Sequence, residues 1–202
     1  MDKKGIAVFG GSFNPPLNSH FSLAEEIINE IDYIGKILFV PVSKKYEKPG
    51  LLDDIHRYNM LKLVCDKYPN FEVSDIEHQH EQQLNSYTTL ELLKKEYPDN
   101  DLYFVIGTDN LKELYWWGYI DQFLTEYKII VIERGSDNMD EIIESQEFLQ
   151  KYRNSFIRYN QLIRTNLSST YVREKLKEGK SVKYLMPEEV ANYIKENNLY
   201  RG

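Results

Sequence analysis

The chain has 202 residues, of which 42% are hydrophobic and 28% are charged. This is the profile of a folded domain with its own core, and it excludes a disordered chain. Lys and Arg number 25 against 32 Asp and Glu, a net charge of −7, which argues against general binding to nucleic acid or an anionic membrane. A lone cysteine, the absence of a signal peptide and the absence of a membrane-length apolar stretch predict a cytoplasmic protein.

Short apolar runs alternate with helical patterns along the chain. Continuous apolar runs fall at 6–9, 37–42, 102–106 and 129–132, with weaker strand candidates at 71–76 and 156–159. Helical spacing falls at 21–31, 55–65, 88–97, 140–152, 170–177 and 187–197. Continuous apolar strands separated by helices predict a doubly wound, mostly parallel α/β sheet in a single domain, 1–202, with C-terminal helices. Ligands of such folds bind where strands end, so the loops after Phe9, Val42, Ile106 and Ile132 are candidate sites.

The segment 10–20 follows a strand and opens a helix. It reads Gly-Gly-Ser-Phe-Asn-Pro-Pro-Leu-Asn-Ser-His. Glycines let the backbone approach a ligand closely, and the N-terminus of the following helix favours an anion. His20 could then donate to a phosphate oxygen. The alternative is a plain strand-to-helix turn with a capping Ser or Asn.

The segment 167–173 reads Leu-Ser-Ser-Thr-Tyr-Val-Arg and forms a second candidate anion site. Three hydroxyl groups stand at a helix start, and a cation follows one turn inside. The alternative is a helix cap followed by an arginine that faces solvent.

Together these segments resemble the signatures of the nucleotidyltransferase superfamily, Gly-(Ser/Thr)-Phe-(Asp/Asn)-Pro-x-His-x-Gly-His and Ile-Ser-Ser-Thr-x-x-Arg. Within it the chain is similar to the bacterial nicotinate-nucleotide adenylyltransferase family. Further matching segments are Arg-Tyr-Asn-Met-Leu at 57–61, Ser-Tyr-Thr at 86–88, Ile-Gly-Thr-Asp at 106–109 and the ending from Tyr184 to Tyr200. The order and spacing of these segments carry the resemblance over almost the whole chain.

The resemblance implies a Rossmann-like nucleotidyltransferase fold and a defined reaction. The family transfers the adenylyl group of ATP to the 5′-phosphate of nicotinate mononucleotide, giving deamido-NAD and pyrophosphate, and requires Mg²⁺. The attack is direct and in line. Because the nucleophile is already an anionic phosphate, the site needs donors and cations around the α-phosphorus rather than a general base.

Carried over position by position, the resemblance implies a role for each matching residue. Catalytic residues would be His20, Lys48 and Arg173. ATP would contact Gly10, Ser12, Phe13, His20, Gly107, Asp109, Ser168, Ser169, Thr170 and Arg173. Nicotinate mononucleotide would contact Asn14, Lys48, Thr88, Trp117 and Arg134. Two of these positions have plain alternatives, since the lysine-rich loop can be a solvated turn and Trp117 a core residue.

The chain departs from the family pattern at one position. Leu17 stands where the signature has its first histidine, and Ser19 replaces the glycine. A leucine has no donor, and losing one preorganised donor costs about 2.7 to 4 kcal/mol, or 100- to 1000-fold in rate. Either Asn18 or a lysine of the 44–48 loop substitutes, leaving a slower enzyme, or the chain is a nucleotide-binding or regulatory module without turnover.

No resident metal site is predicted, because His78 and His80 lack a third ligand placed by any motif. The substrates remain open within the superfamily: nicotinamide mononucleotide, phosphopantetheine or a cytidylyl donor are alternatives. The Ser-Tyr-Thr segment and Trp117 favour the pyridine nucleotide. Oligomeric state has no signal in the sequence.

Overall fold

The computed structural model describes residues 4–46 and 48–201. Its centre is a six-stranded sheet in the order β3-β2-β1-β4-β5-β6, and every strand pair is parallel. The strands are β1 Gly5–Gly11, β2 Ile34–Pro41, β3 Phe71–Val73, β4 Asp101–Gly107, β5 Lys128–Ile132 and β6 Phe156–Ile157. The predicted α/β fold class is confirmed.

The helices connect the strands and cover both faces of the sheet. They are α1 Asn18–Glu30, α2 Asp54–Cys65, α3 Ser86–Glu96, α4 Thr108–Glu113, α5 Ile120–Glu126, α6 Met139–Glu144, α7 Glu147–Lys151, α8 Ser169–Lys177 and α9 Glu188–Glu196. Among the described residues, no helix combines the length and apolar character needed to cross a bilayer.

The core has two halves, one on each face of the sheet. Successive side chains of a strand point to opposite faces, and β1 follows this rule. Ala7 and Phe9 pack with α1, α2, α8 and α9, whereas Ile6 and Val8 pack with α3 to α7. Cys65 is buried in the first half, and burial raises the pKa of its thiol to about 12.

The strand order places a crevice between β1 and β4. The chain winds outward from β1 through β2 to β3, then returns to β4 on the other side of β1. The loops after these two central strands diverge to opposite faces, which leaves an opening at their carboxyl ends. This is where the sequence predicted a ligand.

Two segments differ from the prediction. The helical pattern at 140–152 forms two short helices, because the chain breaks at Ser145 and Gln146. Between β4 and β5, α4 and α5 are helices that the sequence did not predict, and a left-handed Tyr119 (φ 58°) immediately precedes α5.

Candidate active site

A cleft of about 730 Å³ opens at the carboxyl ends of β1, β4 and β5. The loops after Phe9, Val42, Ile106 and Ile132 all contribute to its wall, as expected from the fold class. Of the predicted site residues, those that line it are Gly10, Ser12, Phe13, Asn14, His20, Lys48, Gly107, Asp109, Trp117, Arg134, Ser168, Ser169, Thr170 and Arg173. Thr88 is the predicted residue outside this lining.

The loop after β1 is held in a left-handed turn. Phe13 has φ 44°, a backbone region that costs a non-glycine residue energy and that the surroundings must therefore impose. Its ring is buried against Phe9, Phe39 and the His20 imidazole, with centroid distances of 5.2 to 5.8 Å. A Cβ on Gly11 would stand 3.1 Å from this ring. Packing of the aromatic ring thus fixes the backbone that frames the cleft.

His20 is held in one tautomer by the start of its own helix. The backbone N–H of Leu17 donates to Nδ1 of His20 over 2.9 Å. Burial and the nearby Arg134 lower the pKa of His20 to about 4, so the ring is neutral at pH 7. Since Nδ1 accepts, Nε2 carries the hydrogen and can donate to a ligand in the cleft.

The second signature segment, 167–173, packs directly against the first, 10–20, at the edge of the cleft. Ser168 caps α8 by accepting from the N–H of Tyr171 at 3.2 Å, as the capping alternative anticipated. Arg173, one turn inside, does not point to solvent. Its Nη1 donates to the backbone oxygen of Asn14 at 2.8 Å, and Ser169 Oγ donates to that of Pro15 at 2.8 Å. Segments far apart in sequence therefore form one wall.

A turn after β4 and the residues that follow β5 form another part of the wall. Asp109 and Arg134 make an ion pair of 3.3 Å, and the backbone N–H of Arg134 donates to Thr108 Oγ1 at 3.1 Å. A Cβ on Gly107 would lie 2.2 Å from Asp109 Oδ1 and 2.6 Å from Arg134 Nε. The glycine lets these two charged side chains fold over the strand end.

The loop between β2 and α2 brings one lysine to the cleft. Lys48 Nζ donates to Ser12 Oγ at 3.3 Å. Lys44 instead pairs with Asp53, and Lys45 donates to the backbone oxygen of His80. Of these three lysines, Lys48 is the one that lines the cleft.

Arg57 links the loop after β1 to the loop between β2 and α2, a role that could not be predicted from the sequence. Its guanidinium is fully buried and donates to the backbone oxygens of Leu52 at 3.0 Å, Ser12 at 3.0 Å and Val42 at 2.5 Å. It also pairs with Asp54. The sequence marked Arg57 only as part of a helix motif, because its carbonyl partners come from three separate segments.

Asn14 and Thr88 are engaged within the protein. The Asn14 side chain is 3% exposed and bonds Gly50, Leu52 and Tyr200. Thr88 donates through its N–H and hydroxyl to Asn85 Oδ1, at 2.9 and 3.2 Å, in the cap of α3. Asn85 and Ser86 line the cleft beside it. A direct contact of Thr88 with ligand stays a prediction.

The aromatic side of the cleft contains two tryptophans. Trp117 is half-buried and meets Phe104 and Phe123 edge to face, so the expected core packing and an open face coexist. Trp116 is 82% exposed and also lines the cleft. No sequence pattern distinguishes Trp116 from its neighbours, so its place at the cleft could not be predicted.

Position 17 contributes no side chain to the cleft. Leu17 is fully buried in the core half that contains α1. The neighbouring Asn18 donates through Nδ2 to the backbone oxygen of Tyr184 at 2.9 Å, away from the cleft lining. Of the two substitutes considered for a missing donor, Lys48 lies in the cleft and Asn18 does not.

Comparison with known proteins agrees with this geometry. A family model described as cytidylyltransferase-like matches residues 8–175. A probable nicotinate-nucleotide adenylyltransferase of Clostridium tetani is 34% identical, with 100% of both chains covered. One from Carboxydothermus hydrogenoformans is 32% identical over 97% of this chain and 98% of its own.

Solved structures share the fold. A nicotinic acid mononucleotide adenylyltransferase of Plasmodium falciparum, complexed with NaAD, matches with a TM-score of 0.80 at 23% identity. The match covers 98% of this chain and 97% of that one. With full-length relatives above 30% identity and a family model over most of its length, the chain belongs to the nicotinate-nucleotide adenylyltransferase family, within the cytidylyltransferase-like proteins.

Proposed function

We propose that the cleft transfers the adenylyl group of ATP to the phosphate of nicotinate mononucleotide, with release of pyrophosphate. The observation that carries this proposal is the joining of the two signature segments, in which Arg173 bonds the Asn14 backbone while His20 lines the same cleft. The names of the full-length relatives support the same reaction. A cytoplasmic location stays a prediction.

The residues suit a reaction that consists of positioning and charge neutralisation. His20 offers a neutral Nε2–H, while Lys48 and Arg173 offer positive charge. The first turn of α8 adds backbone N–H groups and the Thr170 hydroxyl. Donors fixed before the reaction stabilise charge that develops at the α-phosphorus without having to reorganise. The acceptor phosphate needs no base.

The cleft fits a magnesium ion that arrives with ATP. Two of the carboxylates at its wall are already paired, Asp109 with Arg134 and Glu133 with Arg158 and Arg164. Among residues 4–46 and 48–201, no group of three acidic, His or Cys side chains is arranged to hold a metal. Mg²⁺ commonly keeps water and binds substrate phosphates, where it neutralises their charge. The protein would then hold the complex through its phosphates.

We further propose that Leu17 replaces the first signature histidine and that Lys48 supplies part of the missing neutralisation. Lys48 already meets Ser12 on the loop after β1. The enzyme would keep turnover at a reduced rate. The pyridine ring would lie on the Trp117 side of the cleft, with Asp109 near a ribose hydroxyl and Arg134 near the nucleotide.

The experiment is pyrophosphate release from Mg-ATP with nicotinate mononucleotide. We expect turnover that requires both substrates, and weaker turnover with nicotinamide mononucleotide or phosphopantetheine as acceptor. Calorimetry on the same sample measures ATP binding. Saturable ATP binding without pyrophosphate release from any acceptor would contradict the proposal and indicate a regulatory module.

A further inference from the structure

Tyr200 connects the C-terminal segment to the loop after β1. It follows α9, and its hydroxyl donates to Asn14 Oδ1 at 2.7 Å. Burial raises the pKa of this phenol well above its ordinary value, so the hydroxyl is protonated and serves as a donor. Tyr200 itself does not line the cleft. Its hydrogen bond to Asn14, which does line the cleft, gives it an indirect route to a bound ligand.

Asn14 transmits this contact to the loop that contains Lys48. Its Nδ2 donates to the backbone oxygen of Gly50 at 2.8 Å, and its Oδ1 accepts from the N–H of Leu52 at 3.4 Å. The Tyr200 donor requires the amide oxygen to face it, which turns the NH₂ group toward Gly50. One hydroxyl thus selects the amide orientation that both loop contacts need.

The loop residues that Asn14 contacts lie in, or directly after, a turn that begins at Lys48. The N–H of Leu51 donates to the backbone oxygen of Lys48 at 3.1 Å, which closes a turn through Gly50 (φ 73°). Lys48 Nζ then reaches Ser12 Oγ, two residues before Asn14. Both ends of the arrangement lie on the loop after β1, so the position of the ammonium depends on the Asn14 contacts.

We propose that Tyr200 is a positioning residue, which holds the Lys48 loop against the loop after β1 through Asn14. The inference rests on the proposed function for its effect on rate. Because Lys48 acts on charge that develops during transfer, a loosened loop lowers kcat more than it raises KM.

The first test is Tyr200→Phe, which removes the hydroxyl and keeps the ring. We expect kcat to fall about fivefold, the loss of one neutral hydrogen bond, with both KM values within about twofold. Tyr193→Phe is the matched control. Its hydroxyl lies 3.0 Å from His56 Nδ1 and accepts from Asn59 Nδ2 at 3.2 Å, contacts between α9 and α2 away from the cleft. It should leave kcat unchanged.

The second test is a double-mutant cycle. In a Lys48→Ala background, Tyr200→Phe should cause no further loss of kcat if the hydroxyl acts through Lys48. An equal fivefold loss in both backgrounds would overturn the proposal, and so would an unchanged kcat in the single variant. Thermal unfolding of each variant confirms that the comparison is between folded proteins.

Hydrogen exchange tests the same contact without substrates. The amides of Leu51 and Leu52 should exchange faster in Tyr200→Phe than in the wild type, and at the wild-type rate in Tyr193→Phe. If the wild type shows no turnover with any acceptor, the proposed function fails, and the exchange rates alone decide the Tyr200 contact. Unchanged exchange in Tyr200→Phe would overturn it.

Discussion

The backbone N–H of Leu17 donates to Nδ1 of His20, its third neighbour along the chain, over 2.9 Å. This bond satisfies the N-cap backbone donor with an imidazole at the third helical position, where Glu or Gln usually serves. It also fixes the tautomer, because a nitrogen that accepts from the backbone cannot carry a proton. The signature segment therefore presents Nε2–H to the cleft independently of any ligand.

The lowered pKa of His20 predicts acid sensitivity. Since the folded value of about 4 lies below the ordinary 6.5, the unfolded chain binds the extra proton between these pH values. This contribution to stability is present above pH 6.5 and is lost as the pH falls to 4. We expect the free energy of unfolding to drop over that window. Denaturant titrations at several pH values give the free energy of unfolding of the wild type and of His20→Asn. The free energy of the variant should depend less steeply on pH between 4 and 6.5, and an equal pH dependence would contradict the assignment.

Arg173→Lys should weaken ATP binding although it keeps the charge. The guanidinium donates through Nη1 to Asn14 and through Nη2 to Thr170 Oγ1 at 3.1 Å, and an ammonium cannot make this fork. We expect the KM for ATP to rise about tenfold or more, as for loss of a charged hydrogen bond. Lys175→Ala on the same helix removes a cation paired with Glu178 and should leave KM unchanged. A wild-type KM in Arg173→Lys would exclude the fork.

Gly107→Ala should impair nucleotide binding with little effect on folding. The backbone there has φ −84°, which alanine adopts freely, but the new methyl group would collide with the Asp109 and Arg134 side chains. The ends of these two side chains can move away from the methyl group, so the substitution should change the shape of the cleft rather than the stability of the fold. Calorimetry should show weaker ATP binding at a nearly unchanged melting temperature. Gly118→Ala, where the nearest atom is 4.0 Å away, is the control, and equal affinities in both variants would refute the prediction.

Leu17→His should raise kcat and lower stability. Because the side chain at position 17 lies in the core, a histidine there restores a donor to the phosphates only by turning out of the core toward the cleft, and kcat is then expected to increase at least about tenfold. Replacing the fully buried leucine gives up about 1.5 to 3 kcal/mol of apolar burial, so the melting temperature should fall. Leu17→Met keeps the volume and adds no donor, and should change neither strongly. An unimproved kcat in Leu17→His would contradict this prediction; it would mean that the imidazole stays in the core or that Lys48 already replaces the donor.

The centre of the sheet could be predicted because its four central strands, β2, β1, β4 and β5, contain continuous apolar runs. Such runs are buried on both faces, and their alternation with helices leaves few topologies. The helices α4 and α5 could not be predicted, because each spans fewer than two turns and is too short to show a periodic pattern. The break between α6 and α7 near Ser145 could not be predicted, because the helical spacing of apolar residues continues across it.

The residues of the candidate site also fall into those that the sequence could predict and those that it could not. Backbone-framing glycines and helix-start hydroxyls belong to local signatures, so His20 and Arg173 could be named from sequence. Arg57 and Tyr200 could not. Their partners are carbonyl and amide groups contributed by remote segments, and a buried arginine or tyrosine shows no local pattern. Their part in shaping the cleft becomes visible only from tertiary contacts.

The pairing of β1 has a consequence for the order in which the protein assembles during synthesis. Gly5 pairs with Ile34 on one side but with Asp101 on the other. When the ribosome has made β1 to β3, β1 still has one edge of unpaired backbone N–H and C=O groups, which favours chaperone binding or misassociation until β4 emerges. Arg173 follows later still, so a truncated nascent chain has a nearly finished sheet and no complete nucleotide site.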